Sequence, residues 1–323
     1  MKLNIAITSA GSAPAVAVIK SLRNQNEIKF HITALDMEAM SSGNFLADKW
    51  FLIPPANSSD FIKIVFDICK KNNIHCLIPI IDEELFIFAK EKKRFDLAGI
   101  KLIVNNKDTI KLARDKYLTY KFCMENNITV PKTFLKKDSA KINRFPVIMK
   151  PLDGRGSKDV VKINNKNELM FFKEYYQKYI IQEFIEGREF TIDIVATPKG
   201  EILQAIPRQR IAIKAGMSYK GKTVKNERLI KFGKEIARKF KINGPCNIQC
   251  IMDRNNHIYL IEVNPKFAAG LPLTVAAGVN IPLILIKFAF GLKVSKKELD
   301  FKDELLMLRC WKEIFIPEED VFT

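Results

Sequence analysis

Glu262 and Asn264 stand two residues apart at the end of an otherwise apolar run, "IYLIEVNPKF" (258–267). A carboxylate among apolar neighbours is costly unless something pairs with it. Three readings compete: a structural salt bridge, a plain strand end, or a bound cation. The longer run "CNIQCIMDRNNHIYLIEVNP" reads as two strands joined at "DRNN", a turn composition. With an even-numbered loop, Gln249 falls on the face of Glu262, at or next to the opposite position. Asn264 shares that face because side chains alternate with a period of two. The other face then carries Ile248, Cys250, Met252, Tyr259, Ile261 and Val263. A three-residue loop would reverse the register. One carboxylate and two amides offer only oxygen, a donor set that suits Mg2+ rather than zinc. So little charge falls short of a protein-only cage. Mg2+ completes its shell with phosphates and water, so the expected partner is a nucleotide.

Other polar residues invite related chemistry. "KPLDGRGSKD" carries Gly154 and Gly156 beside Ser157. It lacks the GxxxxGK[ST] spacing and lies between two strands, so neither familiar phosphate motif fits. A glycine-bearing loop between strands still offers N–H groups to phosphates. Lys150 closes the apolar strand "VIMK", where its ammonium either snorkels or meets an anion. In "QEFIEGREFTIDI", Glu183, Glu186, Glu189 and Asp193 sit among apolar residues. The backbone at Glu183 and Ile185 could meet an adenine edge, and a carboxylate there could hold ribose hydroxyls; the alternative is edge-strand solvation. "AIPRQRIAIKAGMS" places Arg208 and Arg210 on one face, with Lys214 following. Solvated surface charge is the other reading of the two arginines.

These residues need elements to position them. "LNIAIT", "FHITALDM", "CLIPII" and "KLIVN" read as buried strands, alternating with helical spacing in "AVAVIKSLRN", "SDFIKIVFDICKKNN" and "DEELFIFAKEKKRF". Such alternation predicts an α/β unit with a doubly wound parallel sheet. Ligands of such sheets sit beyond the carboxyl ends of the strands, which points to 8–12 and 79–84. Asp82 and Glu83 there also read as helix-capping acids. A helix pair ends at Pro131, and an α+β part with antiparallel strands follows. The expected boundaries are 1–110, 111–185 and 186–323. The tail from about 300 is amphipathic, suited to cover the core or a partner.

The chain has 323 residues, 47% of them hydrophobic, room for two or three domains. Six scattered cysteines without a CxxC and only three histidines indicate neither a zinc site nor a catalytic triad. The formal charge of +17 is spread as lysine along the whole chain. It would draw anionic substrates inward, and nucleic acid is not expected as a partner. No apolar run reaches membrane-spanning length, and "MKLNIAITSAG" shows no cleavable-signal pattern. The expected location is the cytoplasm.

Taken in order, "ARDKYLTYKFCMENNITVPKT", "FPVIMKPLDGRGSKDV", "IQEFIEGREFTIDI", "NIQCIMDRNNHIYLIEVNPKF" and "LPLTVAAGVNIP" resemble the ATP-grasp superfamily. The nearest branch is its carbamoyl-phosphate-synthase-like group of short single-unit proteins, and the resemblance covers about residues 1 to 290. It implies an N-terminal pre-ATP-grasp domain, a lid subdomain and a large subdomain. It also implies that Lys116 and Lys150 meet nucleotide phosphates, and that 153–158, with Gly154, Gly156 and Ser157, form a flexible lid. Glu183, Phe184 and the Ile185 backbone would hold adenine, and Glu189 ribose. Gln249, Glu262 and Asn264 would hold Mg2+, as two ions bridging ATP phosphates, with Mn2+ able to substitute. The family often has Arg where Lys266 follows "NP"; lysine keeps the charge and loses the bidentate fork. Arg208 and Arg210 are assigned to the acid substrate or its acyl phosphate, and Lys266 is counted with them as catalytic. The implied activity is ligation of a small carboxylate to an amine, with a homodimer as candidate assembly. Two alternatives stand beside it: bicarbonate phosphorylation toward a carbamoyl product, and a nucleotide sensor without turnover. A single grasp unit with no glutaminase Cys–His pair weighs against the carbamoyl route.

Overall fold

The computed structural model describes residues 1–152, 159–310 and 312–322. The first sheet contains β1 (Lys2–Thr8), β2 (Lys29–Asp36), β3 (Lys49–Leu52), β4 (Cys76–Ile78) and β5 (Lys101–Leu102), in the order β3-β2-β1-β4-β5. Every neighbouring pair is parallel, so the expected α/β unit is present. Ile5, Ala6 and Ile7 of the central strand, which alternate between its two faces, are all fully buried, as a strand covered on both faces requires. The short edge strand β3 is absent from the sequence reading; its apolar stretch, residues 50–53, is brief, stops at Pro54, and is only partly buried.

Helix α1 (Ala13–Arg23) opens at Ser12, whose hydroxyl accepts the Ala15 N–H at 3.4 Å, with Pro14 in the first turn. Helices α2 (Phe61–Lys71) and α3 (Asp82–Leu97) share an aromatic cluster in which the Phe61 and Phe88 rings lie 5.5 Å apart. Strand order reverses around β1, so the loops after β1, β2 and β4 open a crevice at the carboxyl ends of the strands.

Helices α4 (Lys107–Arg114) and α5 (Lys116–Glu125) lead into an antiparallel sheet. It contains β6 (Thr133–Leu135), β7 (Val147–Pro151), β8 (Val161–Ile163) and β9 (Tyr179–Glu183), ordered β6-β9-β7-β8, with α6 (Lys166–Tyr175) between β8 and β9. The third sheet is also antiparallel. It contains β10 (Arg188–Ala196), β11 (Ile202–Lys214), β12 (Met217–Thr223), β13 (Cys246–Met252), β14 (Ile258–Asn264) and β15 (Leu306–Leu308), ordered β14-β13-β10-β11-β12-β15. Helix α7 (Glu227–Lys239) packs on β10 and β11. Helices α8 (Leu271–Ala276) and α9 (Ile281–Ala289) pack on α1. The tail both covers and extends: Phe301 is buried, β15 adds an outer strand beside β12, and α10 (Glu319–Phe322) ends the described chain.

Two features fix the first sheet against the third. One hydrophobic cluster takes Ile5, Ile7 and Ala15 from the N-terminal part and Ile206, Leu271 and Ile284 from the rest. Asn105 is fully buried and bridges them: its amide donates to Pro245 O (2.7 Å) and Pro265 O (3.1 Å), and its carbonyl accepts the Asn243 N–H (3.0 Å). A buried amide with its partners supplied is fully compensated.

Five cysteines are buried and Cys310 is exposed, all with free thiols. Burial pushes the Cys69 and Cys123 thiols up to about 12, which leaves them inert near neutral pH. Among the described residues no helix is long and apolar enough to cross a membrane.

Candidate active site

The hairpin departs from the sequence reading in one respect. Met252 opposes Ile258, so the connection is residues 253–257, an odd number. Asp253 organises it, accepting the N–H groups of Asn255 (2.9 Å) and His257 (2.8 Å), and Asn256 takes the left-handed conformation at φ +63°. An unbroken ladder from that loop would set Ile261 opposite Gln249. Instead a β-bulge at Ile261 shifts the register, so Gln249 faces Glu262 and Asn247 faces Asn264. The expected polar face therefore forms, by bulge rather than by loop length. The core face is corrected accordingly: Leu260, 2% exposed, packs inward with Val263, while Tyr259 and Ile261 do not.

Pairing across the sheet extends this face. Thr223, Arg208, Thr191, Gln249 and Glu262 form one lateral row over β12, β11, β10, β13 and β14. The next row brings Asp193, Asn247 and Asn264 together. The opposite face is core: Phe190, Ile192, Ile248 and Cys250 are each buried. The Asn264 amide donates to a Glu262 oxygen at 3.3 Å and to the Asn247 carbonyl oxygen at 3.4 Å.

Both arginines lie on this face, and neither is surface-solvated. Arg208 is 2% exposed and binds Asp193 through two parallel bonds, Nε to Oδ2 at 2.9 Å and Nη2 to Oδ1 at 2.8 Å. Thr274 also donates to Asp193. A Cβ on Gly270 would collide with Arg208 Nη1, so the glycine is what lets that loop lie against the guanidinium. Asp193 is thus the support of Arg208, a role the sequence reading did not assign. Its signal was its spacing, four residues after Glu189 and hence on the same face. Removing one partner strands a buried charge. Asp193→Ala is expected to lower unfolding stability by about 3–5 kcal/mol in a urea titration; a loss under about 1 kcal/mol would contradict a buried, charge-compensating pair.

Arg210 pairs with Glu189 at 2.9 Å and donates to Gly216 O at 2.7 Å. Burial raises the Glu189 carboxyl, Arg210 opposes that, and the Glu262 charge adds to it. Lys266 is held by Asp82, the first residue of α3, which ties the third sheet to the N-terminal crevice.

On the other side of Glu262 stand two lysines. Lys116 begins α5, and its N–H donates to Leu152 O at 3.3 Å. Lys150, near the end of β7, is 7% exposed. Burial pushes its ammonium down to about 8, while the Glu262 charge raises it and Lys116 lowers it. Glu262 lines three adjoining cavities. The first, about 280 Å3, contains Asp82, Glu83, Arg114, Lys116 and Asn264. The second contains Lys116, Lys150, Gln182 and Ile261. The third, about 150 Å3, contains Arg208, Arg210, Gln249, Asn264 and Lys266. Gathered here are therefore Lys116, Lys150, Arg208, Arg210, Gln249, Glu262, Asn264 and Lys266. Glu183 is exposed at the end of β9, its N–H donating to Lys132 O at 2.9 Å. Phe184 lies under Lys162, 4.2 Å from the ring centre, and Ile185 follows in the link to β10. These three line none of the three cavities. Gly154, Gly156 and Ser157 lie outside the described residues.

Among the described residues no three His, Cys, Asp or Glu side chains gather into a metal cluster. Glu262 with its amide neighbours is a different donor set, all oxygen and singly charged. It fits a hard cation that also holds phosphates.

Residues 113–270 match the family described as ATP-grasp domain. The chain carries an ATP-grasp domain. Residues 5–103 of this ATP-grasp protein match the PylC-like N-terminal domain, and residues 271–323 lie outside both matches. It is 25% identical over 309 residues to a carbamoyl-phosphate synthase of Methanobrevibacter smithii, covering 87% of this chain and 79% of that one. It is 26% identical over 242 residues to a tyramine–L-glutamate ligase of Methanocaldococcus fervens, covering 74% and 72%. The fold is shared with a biotin carboxylase–β,γ-ATP complex from Campylobacter jejuni, at TM-score 0.72 and 16% identity over 92% and 73% of the two chains. The match to carbamoyl phosphate synthase large chains, such as that of Thermoanaerobacter sp., is 26% over 228 residues. It takes 64% of this chain and spans only 21% of theirs.

Proposed function

We propose that the protein is an ATP-dependent, Mg2+-requiring carboxylate–amine ligase working through an acyl phosphate. The observation that carries this reading is the position of Glu262, between two lysines on one side and a row of cationic side chains on the other. Lys116 and Lys150 hold the nucleotide phosphates. Gln249, Glu262 and Asn264 hold Mg2+, as two ions or with Mn2+ in its place, and the metal supplies charge that offsets the transferring phosphoryl group. Glu183, Phe184 and Ile185 border adenine, and Glu189, kept in place by Arg210, takes ribose. Arg210 and Lys266, with Arg208 behind them, orient the acid. Residues 1–110 serve as the pre-ATP-grasp domain, 111–185 as the lid subdomain with its linking helices, and 186–323 as the large subdomain.

A carboxylate oxygen of the acid attacks the γ-phosphorus, and the bond from phosphorus to the ADP oxygen breaks. The amine nitrogen then attacks the acyl carbon, phosphate leaves, and the amine's proton passes to it. No protein nucleophile takes part, in keeping with the buried, unreactive thiols of Cys246 and Cys250 in β13. Position and electrostatics supply the catalysis.

The test is ADP release across paired panels of carboxylic acids and amines. ADP that requires both supports ligation. The second reading, bicarbonate phosphorylation, draws support from the likeness to the Methanobrevibacter protein. ADP release with bicarbonate alone selects it. ATP binding without turnover on any pair selects a sensor.

A further inference from the structure

A fourth cavity, about 510 Å3, lies in the N-terminal crevice and takes no part in the assignments above. Every titratable side chain lining it is acidic: Asp36, Glu38 and Glu84. That is unexpected in a chain with a formal charge of +17. The cavities around Glu262 contain lysine and arginine; this one contains neither.

Glu84 is 1% exposed. It accepts Thr8 Oγ1 (2.5 Å), Ser9 Oγ (3.4 Å) and the N–H groups of Ile80 (2.7 Å) and Ile81 (3.0 Å). All four bonds end on Oε1, and among the described residues Oε2 accepts none. Burying most of a carboxylate is costly, and a nearby cation would offset that cost. Burial accordingly raises the Glu84 carboxyl. Asp36, at the end of β2 and 7% exposed, accepts the Gly11 N–H on Oδ2 (2.8 Å) and the Glu38 N–H on Oδ1 (3.1 Å). Both carboxylates are thus aimed by backbone N–H groups and hydroxyls rather than by cations. The remaining wall combines four serines with an apolar part that includes Met37, Met40, Ile53, Pro55 and Phe61.

We propose that this cavity holds the ammonium end of an apolar primary amine, the acceptor of the ligation. The inference rests on the ligase reading for the word acceptor, and on Asp36 and Glu84 for the word amine. The cation offsets the charge of the buried Glu84 carboxylate, and the methionines and Phe61 cover the carbon body. The location suits delivery to the acyl carbon. Ser12 lines this cavity while Pro14 lines the one beside Arg208 and Gln249. Ile81 lines it while Asp82 lines the one beside Lys116. The same two loops therefore wall both chambers.

The test is calorimetric binding of alkyl and aryl primary amines to the full chain, each paired with its isosteric alcohol. 2-Phenylethylamine with 2-phenylethanol is one such pair. Amines are expected to bind about tenfold or more tightly than the alcohols, as a charge-assisted contact requires. Glu84→Gln keeps an acceptor for Thr8 and the two N–H groups and turns an amide N–H2 to the cavity, so it should erase that preference. Ser42→Lys, at an exposed position of the rim, should weaken amines and spare alcohols. Equal binding of amines and alcohols across the panel, or a preference unchanged in both variants, overturns the proposal. ADP release is read separately. Amine binding that depends on Glu84 without ADP release in any acid pair defeats the ligase reading alone. ADP release with amine affinity indifferent to both variants defeats the cavity alone.

Discussion

Glu262→Gln is expected to lower ADP formation by about 10³-fold or more while leaving unfolding stability within about 1 kcal/mol of the parent chain. The substitution keeps the size of the side chain and removes the single charge among the three oxygen donors. Asn264 donates to that carboxylate at 3.3 Å, and an amide oxygen still accepts the bond. Folding therefore loses little, whereas a hard cation loses its one formal counter-charge. The loss should be specific to the metal complex: nucleotide affinity measured in EDTA should change far less than affinity in excess Mg2+. A side effect follows from the neighbouring acid. Glu262 raises the Glu189 carboxyl, so its removal should let Glu189 titrate lower, visible by NMR of the labelled carboxyl. A variant with turnover within tenfold of the parent would end the assignment of Glu262 as a metal ligand. A large stability loss would mean instead that the carboxylate serves packing.

The polar face was legible because alternation carries across a ladder. Gln249, Glu262 and Asn264 share parity within a hairpin, and the greasy residues between them mark the other face. What alternation does not reveal is where the ladder slips. The bulge at Ile261 offsets a five-residue connection, and nothing in "YLIEV" distinguishes a bulged isoleucine from a paired one. The same limit hid the partners of the two arginines. Arg208 and Arg210 are two apart and so share a face, but which acid each meets depends on the register of β10 against β11. That register sets Thr191 opposite Arg208 and leaves Asp193 one step along to receive the fork. Asn105 was invisible for a different reason: its three bonds reach residues about 140 to 160 positions away, and no local pattern encodes such contacts. Lys150 was legible as a lysine in apolar company. How strongly its charge is opposed depends on a fold that brings Lys116 and Glu262 beside it.

Lys150 carries the second large effect. Lys150→Met should reduce phosphoryl transfer at pH 7 by about 10²–10³-fold, the usual cost of removing one charge-stabilising group from such a site. Its pH dependence separates this role from a merely structural one. In the folded protein the ammonium titrates at about 8, below the 10.5 of an ordinary lysine, because burial disfavours the charge. Between those two values the unfolded chain holds the proton and the folded chain does not, so this group makes the fold more stable as pH rises through the window. Bound phosphate reverses the preference, since an anion raises the ammonium's affinity for its proton. ATP affinity should accordingly be flat below pH 8. Above it, affinity should weaken by up to about tenfold per pH unit, with one proton taken up on binding. Calorimetry at pH 8.5 in two buffers of different ionisation enthalpy reads that uptake directly. In Lys150→Met the slope and the uptake should both vanish, leaving weaker binding that is indifferent to pH over the same range. If the slope persists in the variant, another group is the titrating phosphate ligand, with Lys116 the first to examine. If parent and variant bind ATP equally at pH 7, the buried ammonium does not face the phosphates at all.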